Sequence, residues 1–447
     1  MRHILTGFLF LSSSTSATIE PLPIEVHAQK TGAIKFAIVL ITDNYHSNDD
    51  ATLLDNLGYY LKKDLEFTKQ FKVGGGSPHE LFALKSNPSK QYLQELHQNG
   101  YEFALFIRQS DDSISIDWRL YDLDTCAMIK GQRYKKTGPL HHHGQSECTR
   151  IWAHSIADGV WPELAQVPGF FSTKIAYCKD IKDAHARAIK HIYIADYDGS
   201  YEQVLINTHT LNVAPRWNVD TAFPVLFYSE HTSVNVRLMM TTMEKKRQIV
   251  VNFDGLTMLP SFSYDGKRVA FCASRGDGVC DLYCYDQGNL KRLTQSQGNN
   301  LAPVFTENKD LLFYCSDREG LPQIYSYTFS TGQVERITPS GYCVCPTYCQ
   351  TNKSLAYAKM VKGIMQLFMY NTVNKEHTQL TFDESNKDEC SWSPCGNYLL
   401  FATQRGLKSR IAMLQIHTKE TWFVTKPTEI CSYPTWSPPY TQVPIVS

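Results

Sequence analysis

Hydrophobic and polar positions in residues 166–447 follow a pattern typical of short β-strands, and this pattern repeats along the chain. Runs of β-branched and aromatic residues alternate with turns rich in Gly, Asn, Asp and Ser, as in hairpins. In one unit the pattern predicts strands at 268–274, 282–286 and 290–294, and a further strand that ends at Phe305. Each unit therefore supplies four short strands.

Two sequence markers recur with the same period. A proline two residues before an aromatic residue returns every 43 to 45 residues; the aromatic residues are Trp217, Phe262, Phe305, Tyr348, Trp392 and Trp436, and Cys390 replaces the proline before Trp392. An aliphatic residue followed by threonine keeps the same period; the threonines are Thr294, Thr338, Thr381 and Thr425. A period of about 40 to 45 residues filled with strands indicates the blades of a β-propeller. We expect the recurring aromatic ring to be buried between neighbouring sheets.

The last proline-aromatic strand, around Trp436, has no unit after it, while the first long strand, predicted at 171–179, has no such strand before it. We expect these two strands to pair and to close a ring of six blades, because closure removes two exposed sheet edges. The sequence thus predicts an all-β six-bladed propeller over residues 166–447, closed by the C-terminal strand.

Residues 18–165 have a different pattern, which predicts an α/β domain ahead of the propeller. An apolar run at 33–41 predicts a strand, and a leucine stripe at 53–65 predicts a helix capped within 48–50. Further elements are predicted as helices at 87–100 and 147–161 and as strands at 102–108, 113–121 and 127–135. We expect a mixed sheet with helices covering one face.

The N-terminus predicts an exported protein. Residues 1–17 combine a basic start, an apolar run and small residues up to Ala17, as in a cleaved signal peptide. No later segment reaches the about 20 apolar residues of a membrane span. Residues 18–30 contain two prolines and place Leu22, Ile24 and Val26 at alternate positions. This segment is either a mobile tail or an extended segment that adds to the sheet edge of another protein.

The composition narrows the range of partners and of chemistry. The chain has 44 basic and 44 acidic residues, which gives no general reason to expect nucleic acid or an anionic membrane as a partner. Thirteen cysteines in an exported chain suggest disulfides, with at least one cysteine left over. Cys272 and Cys315 occupy positions where other units have Ala358 and Ala402. A site that accepts cysteine or alanine is small and buried, so we expect packed thiols there.

Several groups resemble catalytic or metal sites, but each has a structural explanation. Asp196 and Asp198 precede Gly199, and we expect a turn because a calcium site needs six or more oxygens. Three histidines at 141–143 are expected in a solvated loop. His154 and Asp158 lie four residues apart on a predicted helix, where they can pair. We therefore predict no metal and no cofactor.

A serine-hydrolase site is also not predicted. Catalysis by propeller-linked hydrolases needs a Gly-x-Ser-x-Gly turn between a strand and a helix. The chain has only Gly-Gly-Gly-Ser-Pro at residues 74–78, which has the wrong order.

Three segments and the order of domains resemble the TolB family, whose members are the periplasmic components of the Tol-Pal system. The segments are 154–158 (His-Ser-Ile-Ala-Asp), 169–177 (Gly-Phe-Phe-Ser-Thr-Lys-Ile-Ala-Tyr) and 195–199 (Ala-Asp-Tyr-Asp-Gly). The likeness spans nearly the whole chain after the signal peptide. It implies a periplasmic, non-enzymatic adaptor that links envelope layers and supports outer-membrane integrity and cell division.

The resemblance also implies partners. The propeller would bind the peptidoglycan-associated lipoprotein Pal. The N-terminal segment with Leu22, Ile24 and Val26 would contact the inner-membrane protein TolA. Other outer-membrane proteins would be further partners, and the protein itself would be a monomer. Pal contact would fall on loops just before the proline-aromatic strands. The candidates there are Thr257, Met258, Asn299, Asn300, Tyr342 and Asp388. The alternatives are a propeller-type peptidase or glycan-acting enzyme and a small-molecule receptor.

Overall fold

The structure is a computed structural model. It describes residues 33–41, 48–75, 88–109, 115–135, 145–182, 188–218, 224–251, 257–274, 278–439 and 445–446. The chain divides into two compact units, one formed by 1–160 with 443–447 and the other by 161–442. None of the helices in these ranges is long and apolar enough to cross a membrane.

The elements up to residue 165 are three helices and five strands within the described ranges. They are β1 (Ile34–Ile41), α1 (Asn48–Phe67), β2 (Phe71–Gly75), α2 (Lys90–Gln98), β3 (Phe103–Gln109), β4 (Ser115–Asp122), β5 (Ala127–Lys135) and α3 (Gln145–Ala165).

The remaining described elements are strands. They are β6 (Lys174–Lys182), β7 (Ala188–Asp196), β8 (Gln203–Ile206), β9 (Leu211–Trp217), β10 (Val225–His231), β11 (Val236–Thr242), β12 (Arg247–Val251), β13 (Thr257–Phe262), β14 (Arg268–Ala273), β15 (Asp281–Asp286), β16 (Asn289–Arg292), β17 (Asn300–Phe305), β18 (Leu311–Ser316), β19 (Gln323–Thr328), β20 (Val334–Arg336), β21 (Cys343–Cys349), β22 (Ser354–Val361), β23 (Ile364–Asn371), β24 (His377–Gln379), β25 (Asn386–Trp392), β26 (Tyr398–Arg405), β27 (Lys408–Gln415), β28 (Thr421–Phe423), β29 (Cys431–Trp436) and β30 (Ile445–Val446).

The first unit contains a mixed sheet with strand order β2-β1-β3-β4-β5-β30. The β1 strand is parallel to β2 and β3, and the other neighbours are antiparallel. The predicted α/β class is confirmed. Strands β2 and β30 were not predicted, because they are short and carry no alternating pattern.

The helices α1 and α2 lie on opposite faces of this sheet, so the prediction of one covered face is wrong. A Cβ atom on Gly58 of α1 would lie 2.9 Å from Leu40 of β1. Leu93 and Leu96 of α2 pack with Val39 of β1. Adjacent residues of a strand point to opposite faces, so the two helices must cover different sides.

Helix α3 continues past the expected end at Trp161. It includes Pro162, which lacks an N–H group and so removes one helical hydrogen bond. The Pro162 carbonyl still accepts a hydrogen bond from Gln166 N at 3.0 Å. The last turn therefore keeps a helical bond despite the proline.

The described strand pairs of the second unit are antiparallel, except for the parallel pair of β7 with β9, and most of its sheets have the four strands that the repeat predicted. Four of the described sheets have four strands each, β13–β16, β17–β20, β21–β24 and β25–β28. An eight-stranded sheet contains β6 to β12 together with β29. In it, β29 pairs with β6, with Trp436 opposite Ile175. This arrangement is a strand-rich propeller fold.

The proline-aromatic motif marks a β-bulge in each strand that carries it. A residue with a φ between 49° and 55° directly precedes the proline position; these residues are Ala214, Leu259, Ala302, Cys345, Glu389 and Tyr433. The pairing register shifts at the same places, for example between Leu301 and Val304. Proline cannot donate to a β-ladder, and a bulge is a position where that donor is not needed. The bulge thus explains the recurring proline.

The recurring aromatic residue and the recurring threonine also have structural roles. Trp392 packs with Ala358 of the preceding sheet and Phe401 of its own, and Phe305 lies between Cys272 and Tyr314 in the same way. This confirms the expected position of the ring between sheets. The recurring threonine side chains accept hydrogen bonds from buried N–H groups of the third strand; the donors, at 2.9–3.0 Å, are Leu282, Ile324, Leu367 and Ile411.

All thirteen cysteines lie in the described ranges, and no disulfide joins any two of them there. Cys272 and Cys315 are buried, which confirms the prediction of packed thiols. Burial raises the pKa of each of these two thiols to about 12. They therefore stay protonated at neutral pH and act as small apolar side chains.

Candidate functional site

One end of each sheet in the second unit combines the start of the first strand with the hairpin between the second and third strands. Asn300 at the start of β17 lies opposite Ser316 at the end of β18. Asn386 of β25 lies opposite Gln404 of β26. We call the residues at these ends the strand-start rim; it comprises 257–258, 299–300, 317–321, 341–343, 360–364, 382–389, 405–408 and 429–433.

The strand-start rim runs across neighbouring sheets, because their equivalent ends lie next to each other. Glu389 and Tyr433 occupy equivalent bulge positions in β25 and β29, and Tyr433 N donates a hydrogen bond to Glu389 Oε2 at 2.5 Å. First strands of successive sheets also contact each other along β13, β17, β21, β25 and β29. The rim is therefore one continuous surface and not a set of separate loops.

The predicted Pal-contact residues lie on this rim. They are Thr257, Met258, Asn299, Asn300, Tyr342 and Asp388. Only Asn299 and Tyr342 precede their strands, as expected; the other four lie inside strands, which corrects the prediction of loop positions. They belong to strands because they already pair with the neighbouring strand, as Thr257 does with Ala273.

Asn300 is completely buried and holds the segment before β17 in place. Its side-chain amide donates to Asp281 Oδ1 at 3.2 Å and to Gly298 O at 3.0 Å. Its Oδ1 accepts a hydrogen bond from Arg318 at 2.8 Å. Every polar atom of the amide is thus used within the chain, and Asn300 is a structural residue and not an accessible contact.

Asn299 is half-buried and fixed by its neighbours. Its backbone N–H and its side-chain amide donate to the Asp317 carboxylate at 2.6 Å and 3.1 Å. Its Oδ1 accepts a hydrogen bond from Cys280 N at 3.1 Å. Tyr342 is also half-buried, and burial raises the pKa of its hydroxyl. Both side chains therefore reach the surface, and local hydrogen bonds hold that of Asn299 in place.

Two adjacent carboxyl groups, Asp388 and Glu389, lie where the rim meets the bulges. Burial raises the pKa of Asp388, and burial with the neighbouring Asp388 charge raises the pKa of Glu389 to about 7. The hydrogen bond from Tyr433 N and the charges of Arg216 and Lys190 oppose the shift of Glu389. Like charges in a poorly solvated site disfavour double ionisation, so Glu389 titrates near neutral pH and the pKa of Asp388 lies above its ordinary value.

Sequence reasoning missed Glu389 and the exposed apolar side chains of the rim. Glu389 has a recognisable signal, since the equivalent bulge residues are uncharged. Leu407 in the β26–β27 turn is 92% exposed and Phe382 before β25 is 69% exposed. Leu321 and Met360 are exposed apolar residues of the other hairpins. Apolar side chains around fixed polar groups are typical of a protein-binding surface.

The other candidate sites have structural explanations. His154 Nδ1 lies 2.8 Å from Asp64 Oδ2 of α1, so its partner across the fold is Asp64. The Asp198 carboxylate accepts a hydrogen bond from Ser200 N at 2.9 Å, as in the expected turn. Over the described ranges, no group of three or more His, Cys, Asp or Glu side chains is arranged to hold a metal. The histidines at 141–143 and Leu22, Ile24 and Val26 lie outside the described residues.

Four-stranded antiparallel sheets that repeat one bulged strand, preceded by an α/β region, define a protein of the β-propeller class. The sequence profile of the TolB β-propeller domain matches residues 161–440. This chain belongs to the TolB β-propeller family.

Relatives and a solved structure resemble the chain over most of its length. The Tol-Pal system protein TolB of Francisella tularensis subsp. holarctica (strain OSU18) is 27% identical over 420 residues, which is 90% of each chain. The protein of that name from subsp. mediasiatica (strain FSC147) is 24% identical over 73% of this chain and 72% of its own length. The crystal structure of TolB from Acinetobacter baumannii aligns with a TM-score of 0.72 at 21% identity, covering 91% of this chain and 97% of the other.

Proposed function

We propose that this chain is the periplasmic adaptor of a Tol-Pal system, which binds the lipoprotein Pal through the strand-start rim. The observation that carries the proposal is the 27% identity to a Tol-Pal system protein over 90% of both chains. Such a likeness includes the α/β region as well as the propeller. An adaptor of this kind links envelope layers and supports outer-membrane integrity and cell division.

We infer that the propeller has six blades and that β29 closes the ring. The pairing of β29 with β6 supports closure. Further support comes from the contacts of β29 with both β25 and β9, and of β9 with β13. Residues 1–17 are the proposed signal peptide, 18–165 the α/β domain and 166–447 the propeller, in keeping with a family match that begins at 161.

The chemistry of the rim supports protein binding without catalysis. Asn299 is held by local hydrogen bonds, so presenting it to a partner costs little conformational entropy. Leu407 and Phe382 offer exposed apolar area elsewhere on the same rim. Buried apolar anchors contribute most of the binding energy in such interfaces. We therefore propose that the protein has no enzymatic activity. We also propose that it is a monomer and that Leu22, Ile24 and Val26 contact TolA.

A binding experiment with the periplasmic domain of Pal tests this proposal. Calorimetric titration of the full chain should give a dissociation constant, and Leu407→Asp should weaken binding at least tenfold. Val373→Asp is the matched control, since Val373 is 75% exposed in the turn after β23, at the opposite end of its sheet. If Pal does not bind, the adaptor role is wrong. If both variants weaken binding equally, the rim is wrong.

A further inference from the structure

Among the residues that the structure describes, β30 covers only part of the outer edge of the first unit's sheet. Strand β5 has nine residues, and β30 pairs with two of them, placing Ile445 opposite Tyr134 and Val446 opposite Arg133. The pairing is antiparallel. The chain thus already shows that this edge accepts an added strand, and in which direction.

The uncovered part of β5 is suited to the approach of another backbone. The register with β4 is regular over Lys130–Lys135 and shifts next to Ile129. Gly131 is exposed and has no side chain to obstruct a neighbouring strand. Met128 and Ile129, exposed by 52% and 38%, continue the edge beyond the segment that β30 covers. Large apolar side chains on an incompletely paired edge favour strand addition.

The β5 edge is also held in a fixed conformation from behind. Tyr134 is buried, and its hydroxyl lies 3.0 Å from Ser155 O of α3. Arg133 forms a two-point ion pair with Asp117 of β4, with one N···O distance of 2.8 Å. An incoming strand would therefore meet an ordered template and would not have to order it.

We propose that the β5 edge, Lys130–Lys135, binds an extended segment of a partner protein by strand addition, and that this segment displaces β30. The proposal concerns a surface apart from the strand-start rim and does not depend on Pal binding. Strand β5 has three basic residues and no acidic residue, and two of them, Arg133 and Lys135, lie on the same face, so acidic residues are favoured on that face of the added strand.

The lengths of the two competing strands favour displacement. β30 contributes two residues to the ladder, whereas the regular edge offers six positions, 130–135. A segment of six or more residues would pair with more backbone groups than β30 does. Because β30 belongs to the same chain, its removal should strengthen binding of the external segment.

Peptide binding to the full chain tests this proposal. The probe is a fluorescein-labelled eight-residue peptide of alternating Val and Glu, followed by fluorescence anisotropy. Deletion of residues 445–447 should tighten binding at least tenfold, and hydrogen exchange of the 127–135 amides should slow when the peptide binds. A peptide with proline at two central Val positions should not bind, and a Val-Lys peptide should bind at least tenfold more weakly.

A second variant keeps the test independent of the deletion. Lys135→Glu leaves β30 in place and should reverse the preference between the Glu and Lys peptides; far-UV circular dichroism checks that both proteins are folded. Equal affinity with and without residues 445–447, equal binding of the proline peptide, or protection outside 127–135 would overturn the proposal. Dimerisation of the deletion variant in sedimentation would also overturn it, since a second copy would then be the occupant.

Discussion

Glu389 is predicted to destabilise the folded protein at neutral pH. Burial, with the adjacent Asp388 charge, raises the pKa of Glu389 from its ordinary value of 4.5 to about 7. Below pH 4.5 the carboxyl is protonated in both the folded and the unfolded chain. Between pH 4.5 and 7 the unfolded chain releases this proton while the folded chain retains it. The contribution of Glu389 to stability is therefore full in acid and is lost as pH rises through this window.

The size of the effect follows from the pKa difference. A shift of 4.5 to about 7 corresponds to about 3 kcal/mol of stability lost in total, at about 1.4 kcal/mol for each pKa unit. Between pH 5 and pH 8 the expected loss is about 2.5 kcal/mol, since part of the titration lies below pH 5. Glu389→Gln keeps the side-chain shape and cannot ionise. Relative to the parent chain, the variant should gain this amount over the same interval.

Urea unfolding at pH 5, 6, 7 and 8, followed by tryptophan fluorescence, measures the gain. The useful quantity is the difference in unfolding free energy between the parent and Glu389→Gln at each pH, because titrating groups that do not interact with Glu389 cancel in it. Glu384→Gln is the matched control, since the Glu384 side chain is 85% exposed on the same rim. A difference that stays constant with pH, or that falls as pH rises, would refute the assignment of a raised pKa to Glu389.

Three further predictions concern stability. Trp436→Ala removes a buried ring and the hydrogen bond from its indole N–H to Thr173, next to β6. The free energy of unfolding, measured by urea titration, should therefore fall by about 3–5 kcal/mol. Trp422→Ala should cost less, because Trp422 is only half-buried. Thr294→Val leaves a buried N–H without an acceptor and should cost about 1–3 kcal/mol; an unchanged urea midpoint would contradict this role. Burial acts to raise the pKa of Glu202, but hydrogen bonds from Lys179 outweigh burial, so the pKa is lowered. Glu202→Gln should therefore reduce the melting temperature at pH 7 and have no effect at an acidic pH where Glu202 is protonated in both states.

The strand-start rim was predictable only in outline. The sequence located the starts of the proline-aromatic strands, and Asn299 and Tyr342 do lie there at the surface. It could not distinguish Asn299 from its neighbour Asn300, although one is half-buried and the other is completely buried. The difference depends on Asp281 of β15 and on Arg318 in the turn between β18 and β19, which the fold brings to this position. Burial of a polar side chain is a property of that packing.

The sequence by itself determined the repeat, the strand-rich propeller and the α/β region, because strand alternation, turn residues and helical stripes act over a few residues at a time. The spacing of Trp392 and Trp436 is enough to indicate equivalent strands. Only the tertiary structure decided which side chains meet across long stretches of chain. His154 pairs with Asp64, ninety residues away, and β30 adds to β5. Such contacts depend on which surfaces the whole fold brings together, and short-range patterns carry no record of them.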